Sequence, residues 1–243
     1  MTKVGILVHC RNLDTDAWED LVFGRPDHDK LGDHATLARL VLTFEQGEEL
    51  ACVVFGRGLS WRDGLNEGEY SKKFLLDNLW RLPEFTRLAP LLARLDDGEL
   101  TEFRRGMAAA IVTEQVSNTV DELVAAAAVF ARHDVDKVVQ IAAASHASRC
   151  IKEQAVVRSR GQIDNDQIWL TVATDMTYAN TGPGDVCIIE PLHRRDQPIT
   201  FVRPGLSEVI APYFALPDDR KRAFIRLVDD FMSRENNRIA EVA

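Results

Sequence analysis

The sequence has no Cys-x-x-Cys pair. Its four cysteines, Cys10, Cys52, Cys150 and Cys187, are scattered, and three of them lie in or beside apolar runs. Disulfide frameworks and zinc fingers need closely spaced cysteines, so this pattern instead favours reduced, mostly buried thiols. Reduced thiols are typical of the cytoplasm, and we expect the protein to be cytoplasmic.

Long hydrophobic runs are also missing. The run at Leu123–Ala131 is far shorter than the roughly 20 apolar residues that a membrane-spanning helix needs. The segment before His9 holds too few apolar residues for the core of a secretory signal peptide. We therefore expect neither export nor a membrane partner.

Positive charge is not in excess either. The chain has 29 Lys and Arg residues against 38 Asp and Glu residues, which gives a net charge of -9. Such a chain has no general attraction to the phosphate backbone, so we expect no nucleic-acid partner. Local basic groups can still hold a small anion, and the composition is compatible with a homo-oligomer.

Familiar catalytic motifs are absent, including GxGxxG, the P-loop, HExxH and the nucleophile elbow. Carboxylates and imidazoles do crowd one segment that a divalent metal could use: Asp27, His28, Asp29, Asp33 and His34. A charged surface loop explains this crowding more simply, so we predict no metal. His146 and Cys150 could form a thiolate pair, although a helical Cys150 is more often a small buried residue.

The apolar residues that are present fall into short runs separated by helical patterns. The runs are 4–8, 50–55, 108–113, 138–144, 168–174 and 186–190, and the helical patterns include 34–47, 119–134 and 218–236. This alternation predicts an α/β fold with an open, mostly parallel sheet and helices on both faces. We expect one domain over residues 1–243, in which Thr181–Gly184 could set off a C-terminal helical subregion at 185–243.

Polar or flexible residues follow each predicted strand. They are His9 to Asn12, Gly56 to Gly58, Glu114, Ser117 to Thr119, Ser145, His146, Arg149 and Asp175. Ligands bind at the carboxyl ends of the strands in open parallel sheets. The sequence therefore predicts a binding site where these segments converge, with Asn12 among its residues.

The stretch "IAAASHASRC" combines a predicted strand with a helix start. Ser145 can cap that helix, and His146 and Arg149 share one face of its first turns. A helix N-terminus with an arginine favours phosphate or carboxylate, so we favour an anion site. The simpler alternative is that Ser145 only caps the helix, Arg149 pairs with Glu153 and His146 is a core residue.

The segment "TEQVSNT" has two interpretations as well. Thr119 and Glu122 fit a capping box and Asn118 suits a turn, so Ser117 to Thr119 could simply begin a helix. Glu114 is harder to explain as structural, because a carboxylate at a buried strand end costs free energy unless it is paired. It could be a general base, or it could hold a ligand hydroxyl.

The turn "FGRG" offers close backbone approach at Gly56 and Gly58 and a cation at Arg57. An ordinary tight turn explains these three residues equally well.

Four features together resemble the YdcF-like (DUF218) superfamily, over about Val4 to Glu153. They are Gly56-Arg57-Gly58, a helix bearing Glu69, the segment Glu114 to Glu122, and Ser145-His146-Ala147-Ser148-Arg149. The resemblance implies a Rossmann-like sheet whose pocket is formed by Gly56, Gly58, Glu69, Glu114, Ser117, Asn118, Thr119, His146 and Arg149. Arg57 and the pair Asp121-Glu122 depart from the family pattern, as does the lack of a membrane anchor.

The resemblance and the residues lead to one functional expectation. We expect an enzyme that acts on a small anionic or nucleotide-like metabolite by group transfer or hydrolysis. Glu114 and His146 would supply acid–base chemistry, while Arg149, the helix start at Ser145 and the Gly56–Gly58 turn hold the anion. Ser117 and Asn118 would orient the ligand. The alternative is a non-catalytic ligand-binding or regulatory protein, and the family resemblance makes S-adenosylmethionine a candidate ligand for either.

Overall fold

The computed structural model describes residues 1–15, 17–114 and 118–176, and the backbone of strands 187–189, 199–203 and 206–210. The chain divides into two compact units, Met1–Pro183 and Gly184–Ala243. Among the described residues, no helix has the length and apolar character needed to cross a membrane.

The first unit contains all the described helices and most of the strands. Its strands are β1 (Thr2–Val8), β2 (Gly24–Arg25), β3 (Lys30–Leu31), β4 (Glu48–Phe55), β5 (Trp61–Arg62), β6 (Leu65–Asn66), β7 (Ile111–Val112), β8 (Lys137–Ala143) and β9 (Ile168–Thr174). Its helices are α1 (Trp18–Phe23), α2 (Asp33–Leu42), α3 (Glu67–Asn78), α4 (Ala89–Leu92), α5 (Asp97–Ala108), α6 (Thr119–Arg132) and α7 (Ala144–Ser159).

Five of these strands form one parallel sheet in the order β7-β4-β1-β8-β9. β1 lies at its centre and pairs in parallel with β4 and with β8. Along the chain the sheet first grows from β1 towards β7, and then returns to the other side of β1 at β8. This is a Rossmann-like order, and it confirms the open parallel α/β fold predicted from the sequence.

The strands are apolar on both faces because helices cover both sides of the sheet. Val4, Ile6 and Val8 of β1 belong to one core, which includes residues of α2, α3 and α5. Leu7 belongs to the opposite core, together with Phe130 of α6 and residues of α7. Alternate side chains of a strand point to opposite faces, so a strand covered on both sides must be apolar throughout.

Two helix starts differ from the sequence expectation. Asn118 caps α6 by accepting a hydrogen bond from the backbone N–H of Asp121, so the capping box predicted for Thr119 and Glu122 is wrong by one residue. Helix α7 begins after Ala143 with no side-chain cap, so Ser145 lies inside the first turn and is not its cap. Because Asn118 is the cap, the Glu122 carboxylate takes no part in capping the helix.

The described part of the second unit is an antiparallel sheet in the order β10-β11-β12. These strands are β10 (Cys187–Ile189), β11 (Ile199–Arg203) and β12 (Leu206–Ile210). The run predicted at 186–190 is therefore a strand of this separate sheet. The helical pattern at 218–236 lies outside the described residues.

Candidate functional site

The site begins where β1 and β8 end side by side. The chain leaves these two neighbouring strands towards opposite sides of the sheet, so their carboxyl ends lie at the topological switch point, where ligands bind in open parallel sheets. His9 follows β1 directly, and its backbone N–H donates to the carbonyl oxygen of Ile141 in β8, at 3.0 Å. Helix α7 follows β8 and brings His146 and Cys150 to the same place.

The imidazole of His9 is almost fully buried, with 3% of the residue exposed. Its Nε2 lies 3.0 Å from Oε1 of Gln140 in β8. The Gln140 side-chain nitrogen donates to Oγ1 of Thr171 at 2.8 Å and to Oε1 of Gln154 at 3.3 Å. Those two bonds direct the Gln140 carbonyl oxygen towards His9, so Nε2 of His9 carries a proton.

The other ring nitrogen of His9 faces a carboxylate. Nδ1 lies 2.8 Å from Oε1 of Glu122, and both groups are largely buried. The two atoms are close enough for an ion pair, although their alignment does not have the geometry of a hydrogen bond. A buried carboxylate at this distance from an imidazole is stabilised by positive charge, either on the ring itself or beside both groups.

Glu122 reaches His9 because residue 56 is glycine. A β-carbon at Gly56 would overlap the Glu122 carboxylate. Gly56 is held in place by its backbone N–H, which donates to the carbonyl oxygen of Val8. The absence of a side chain at residue 56 therefore lets the Glu122 carboxylate reach the end of β1.

Helix α7 supplies the remaining two groups. His146 and Cys150 lie four residues apart on one helix face, and the rings of His9 and His146 meet edge-on with centroids 5.5 Å apart. Ligand atoms of His9, His146 and Cys150 all lie within 4.8 Å of one another. We call His9, Glu122, Gln140, His146 and Cys150 the switch-point cluster.

Charge within the cluster is strongly coupled. Burial by itself raises the pKa of the Cys150 thiol, but the charges and hydrogen bonds of His9 and His146 outweigh it and lower that pKa to about 7. Burial by itself lowers the pKa of His9, yet the negative charges of Cys150 and Glu122 raise it well above its ordinary value. The cluster therefore favours a thiolate beside a positively charged imidazole.

Arg149 lies beside the cluster and is partly exposed. One of its terminal nitrogens, Nη2, is 3.5 Å from Nε2 of His146. Asn118, also partly exposed, caps α6 and donates from its side-chain nitrogen to the Asp121 carboxylate. Arg149 is thus a basic side chain that directly adjoins the cluster.

The glycine turn is built around a buried carboxylate. Gly58 has a φ of 64°, and a β-carbon there would overlap the side chain of Glu67. Oε1 of Glu67 accepts hydrogen bonds from the backbone N–H of Leu59 and from both the N–H and hydroxyl of Ser60. Glu69, which the sequence suggested for the pocket, forms the capping box of α3 with Asn66 instead.

Other predicted site residues take local roles. The backbone N–H of Arg57 donates to Oγ1 of Thr113, and its guanidinium lies 5.4 Å from the ring centroid of Trp61. The side chain of Asn12 is exposed and accepts from the backbone N–H of Asp14. Thr119 is buried as the first residue of α6.

Of the acid–base pair predicted from the sequence, Glu114 and His146, only one residue lies in the cluster. His146 belongs to the cluster, whereas Glu114 is exposed beyond the end of β7. Within the described residues no hydrogen bond or ion pair joins Glu114 to the cluster. Ser117 lies outside the described residues, and only the backbone of Ser145 is described.

Three members of the cluster were not predicted from the sequence as site residues. Gln140 is the one polar residue inside the apolar run at 138–144, which was a usable signal. Glu122 was assigned to helix capping, and Cys150 was interpreted as a small buried residue. Their roles depend on contacts between segments that are far apart in the chain.

The chain was compared with family models, with curated proteins and with solved structures, and none of the three comparisons gave a match.

Proposed function

We propose that this chain is a YdcF-like enzyme that acts on a small anionic or nucleotide-like metabolite at the switch point of its sheet. The reaction is a group transfer or a hydrolysis, and its reactive groups come from the switch-point cluster. Arg149 holds the anionic part of the substrate.

The observation that carries this proposal is the buried meeting of ionisable groups from three separate elements. His9 follows β1, Glu122 comes from α6, and Cys150 comes from α7. Burying such groups costs several kcal/mol per charge unless they are paired, so a core does not collect them for stability. Clusters with perturbed pKa values in a crevice are typical of catalytic sites.

The choice of an anionic substrate follows from Arg149. Its guanidinium adjoins His146 near the start of α7, where backbone N–H groups and the helix dipole also favour negative charge. The net charge of -9 makes general attraction to anions weak, so binding would depend on this local arrangement.

The test is thermal unfolding of the full chain with S-adenosylmethionine, S-adenosylhomocysteine, nucleotides and sugar phosphates, followed by a product assay with each stabilising compound. A ligand at about 100 times its Kd adds roughly 2.7 kcal/mol of stability, which raises the Tm by about 5–10 °C for a chain of this size. We expect this rise with one class of compound, together with its turnover.

In the variant Arg149→Ala, most of the ligand-induced rise in Tm should be lost. Arg160→Ala is the matched control, because Arg160 is exposed at the far end of α7 and should leave the rise intact. Stabilisation without turnover would support the non-catalytic binding protein instead. No stabilisation by any of these anions, or an equal rise in Arg149→Ala, would overturn the proposal.

A further inference from the structure

We infer that His9, His146 and Cys150 form a binding site for a transition-metal ion of the Zn²⁺ type. This inference goes beyond the proposed function and does not depend on it, because it is drawn from the donor atoms alone. It replaces the expectation, drawn from the sequence, that the protein binds no metal.

The spacing of the donors is the first argument. His146 and Cys150 are separated by one helical turn, so both face the same side of α7, and His9 approaches them from the end of β1. Paired donors four residues apart on a helix, completed by a ligand from elsewhere, are a common arrangement for zinc. The site thus has two rigidly spaced ligands and a third from the sheet.

The chemistry of the donors selects the class of ion. Two imidazoles and a thiol suit Zn²⁺ and its neighbours, whereas Mg²⁺ and Ca²⁺ prefer sets made only of oxygen. Ligands at about 2.0–2.3 Å from a tetrahedral zinc lie about 3.3–3.7 Å apart. The donor atoms, which lie within 4.8 Å of one another, therefore need to close by about 1.5 Å at most.

The contacts around His9 give an independent argument. Nε2 donates to the Gln140 carbonyl oxygen, which leaves the lone pair of Nδ1 as the one available to an ion. Nδ1 and Oε1 of Glu122 are buried, 2.8 Å apart and not aligned as a hydrogen bond. A proton on Nδ1 would not point at that oxygen, whereas a cation beside both atoms satisfies each of them.

The charges balance with such an ion in place. A dication bound to one thiolate and two neutral imidazoles carries one net positive charge, which the Glu122 carboxylate against His9 offsets. Three protein ligands leave a fourth position open, as in catalytic zinc sites. Arg149 adjoins His146, so an anionic group at that position would also meet the guanidinium.

The experiment uses the full chain after removal of metals with a chelator, titrated with Co²⁺ alone and then with Zn²⁺. Because Co²⁺ bound to a thiolate absorbs in the near ultraviolet, we expect this band to saturate at one Co²⁺ per chain and Zn²⁺ to abolish it. The variant Cys150→Ser should lose the band, and Cys52→Ser, which changes another buried thiol, should keep it.

Two further variants test the other groups. His146→Ala should weaken Co²⁺ binding more than tenfold, while His133→Ala, at the exposed end of α6, should not change it. Glu122→Gln should weaken binding about 10- to 100-fold, because it changes a partner of a ligand and not the ligand itself. Circular dichroism of each variant confirms that it is folded.

If the wild-type chain shows no thiolate band with Co²⁺, the inference is overturned. This result does not depend on whether any variant folds. A band that survives in folded Cys150→Ser would overturn it too, because the metal would then be bound elsewhere. Neither outcome affects the anion-dependent rise in Tm, so failure of the metal site and failure of the proposed function are distinguishable.

Discussion

Gly56 and Glu122 are packed so closely that residue 56 has no room for a β-carbon beside the Glu122 carboxylate. The two residues come from different crossovers, one after β4 and the other in the first turn of α6. Their contact sets the position of the carboxylate that lies against His9. A glycine chosen from the sequence as a ligand-binding turn thus also has a packing role within the site.

This contact predicts that Gly56→Ala displaces Glu122 and lowers the free energy of unfolding by about 1–3 kcal/mol, the usual range for overpacking. The measurement is urea unfolding of Gly56→Ala, Glu122→Ala and the double variant. The added methyl group should cost at least about 1 kcal/mol less when Glu122 is already alanine, which a double-mutant cycle detects. If the stability losses of the two single variants simply add up in the double variant, the two residues do not compete for space.

A second prediction concerns His34, a buried histidine outside the cluster. Burial lowers its pKa to about 3, and its Nε2 contacts Oγ of Ser71 at 2.8 Å. Between pH 6.5 and 3 the unfolded chain therefore binds a proton that the folded protein does not. Stability must fall as the pH falls through this window, by about 2 kcal/mol between pH 7 and pH 5 from this residue.

Urea unfolding at pH 7 and pH 5 checks this sign. His34→Gln keeps a polar side chain next to Ser71 but cannot titrate, so its loss of stability on acidification should be about 2 kcal/mol smaller than that of the wild type. His28→Gln, at a mostly exposed site, should retain the wild-type pH dependence. Equal pH dependence in wild type and His34→Gln would contradict the prediction.

A third prediction compares the contributions of two glutamates of α3 to stability. Glu67 is buried and accepts three hydrogen bonds from Leu59 and Ser60, so Glu67→Ala should cost about 3 kcal/mol. Glu69 takes part in a capping box, and Glu69→Ala should cost about 1 kcal/mol. The free energies of unfolding of the two variants, measured in urea, give the comparison. A larger loss for Glu69→Ala would refute the assignment of Glu67 to the turn.

The fourth prediction concerns Arg11, which joins the end of β1 to the end of β9. Its guanidinium binds the Asp33 carboxylate through two hydrogen bonds, at 2.7 and 3.0 Å, and also donates to Thr174 and to the carbonyl oxygen of Met176. Burial raises the pKa of Asp33, and Arg11 opposes that rise. Arg11→Ala leaves a buried carboxylate without this partner and should cost about 3–5 kcal/mol.

The measurement is again the free energy of unfolding at neutral pH. Arg25→Ala is the control, because its pair with Asp27 is exposed and should contribute little to stability. Arg11→Lys should recover only part of the loss, since an ammonium cannot make the two parallel bonds. A negligible effect of Arg11→Ala would show that water replaces the guanidinium.

Local pattern was enough to locate most of the sheet. The run at 168–174 coincides with β9, and the runs at 4–8, 50–55 and 138–144 lie within a residue or two of their strands. The run at 108–113 was the exception, because α5 continues to Ala108 and leaves only Ile111–Val112 in the sheet. Strands buried on both faces are continuously apolar, so they are visible in the sequence without any knowledge of their neighbours.

The sequence by itself indicated the main strands, their alternation with helices and the edge at which polar segments would gather. Only the tertiary structure decided which of those polar groups meet. Glu122 approaches His9 because Gly56 leaves space, and Gln140 keeps a proton on Nε2 of His9 because Thr171 and Gln154 direct its amide. These contacts join residues up to 131 positions apart, and such pairings depend on packing that no local pattern contains.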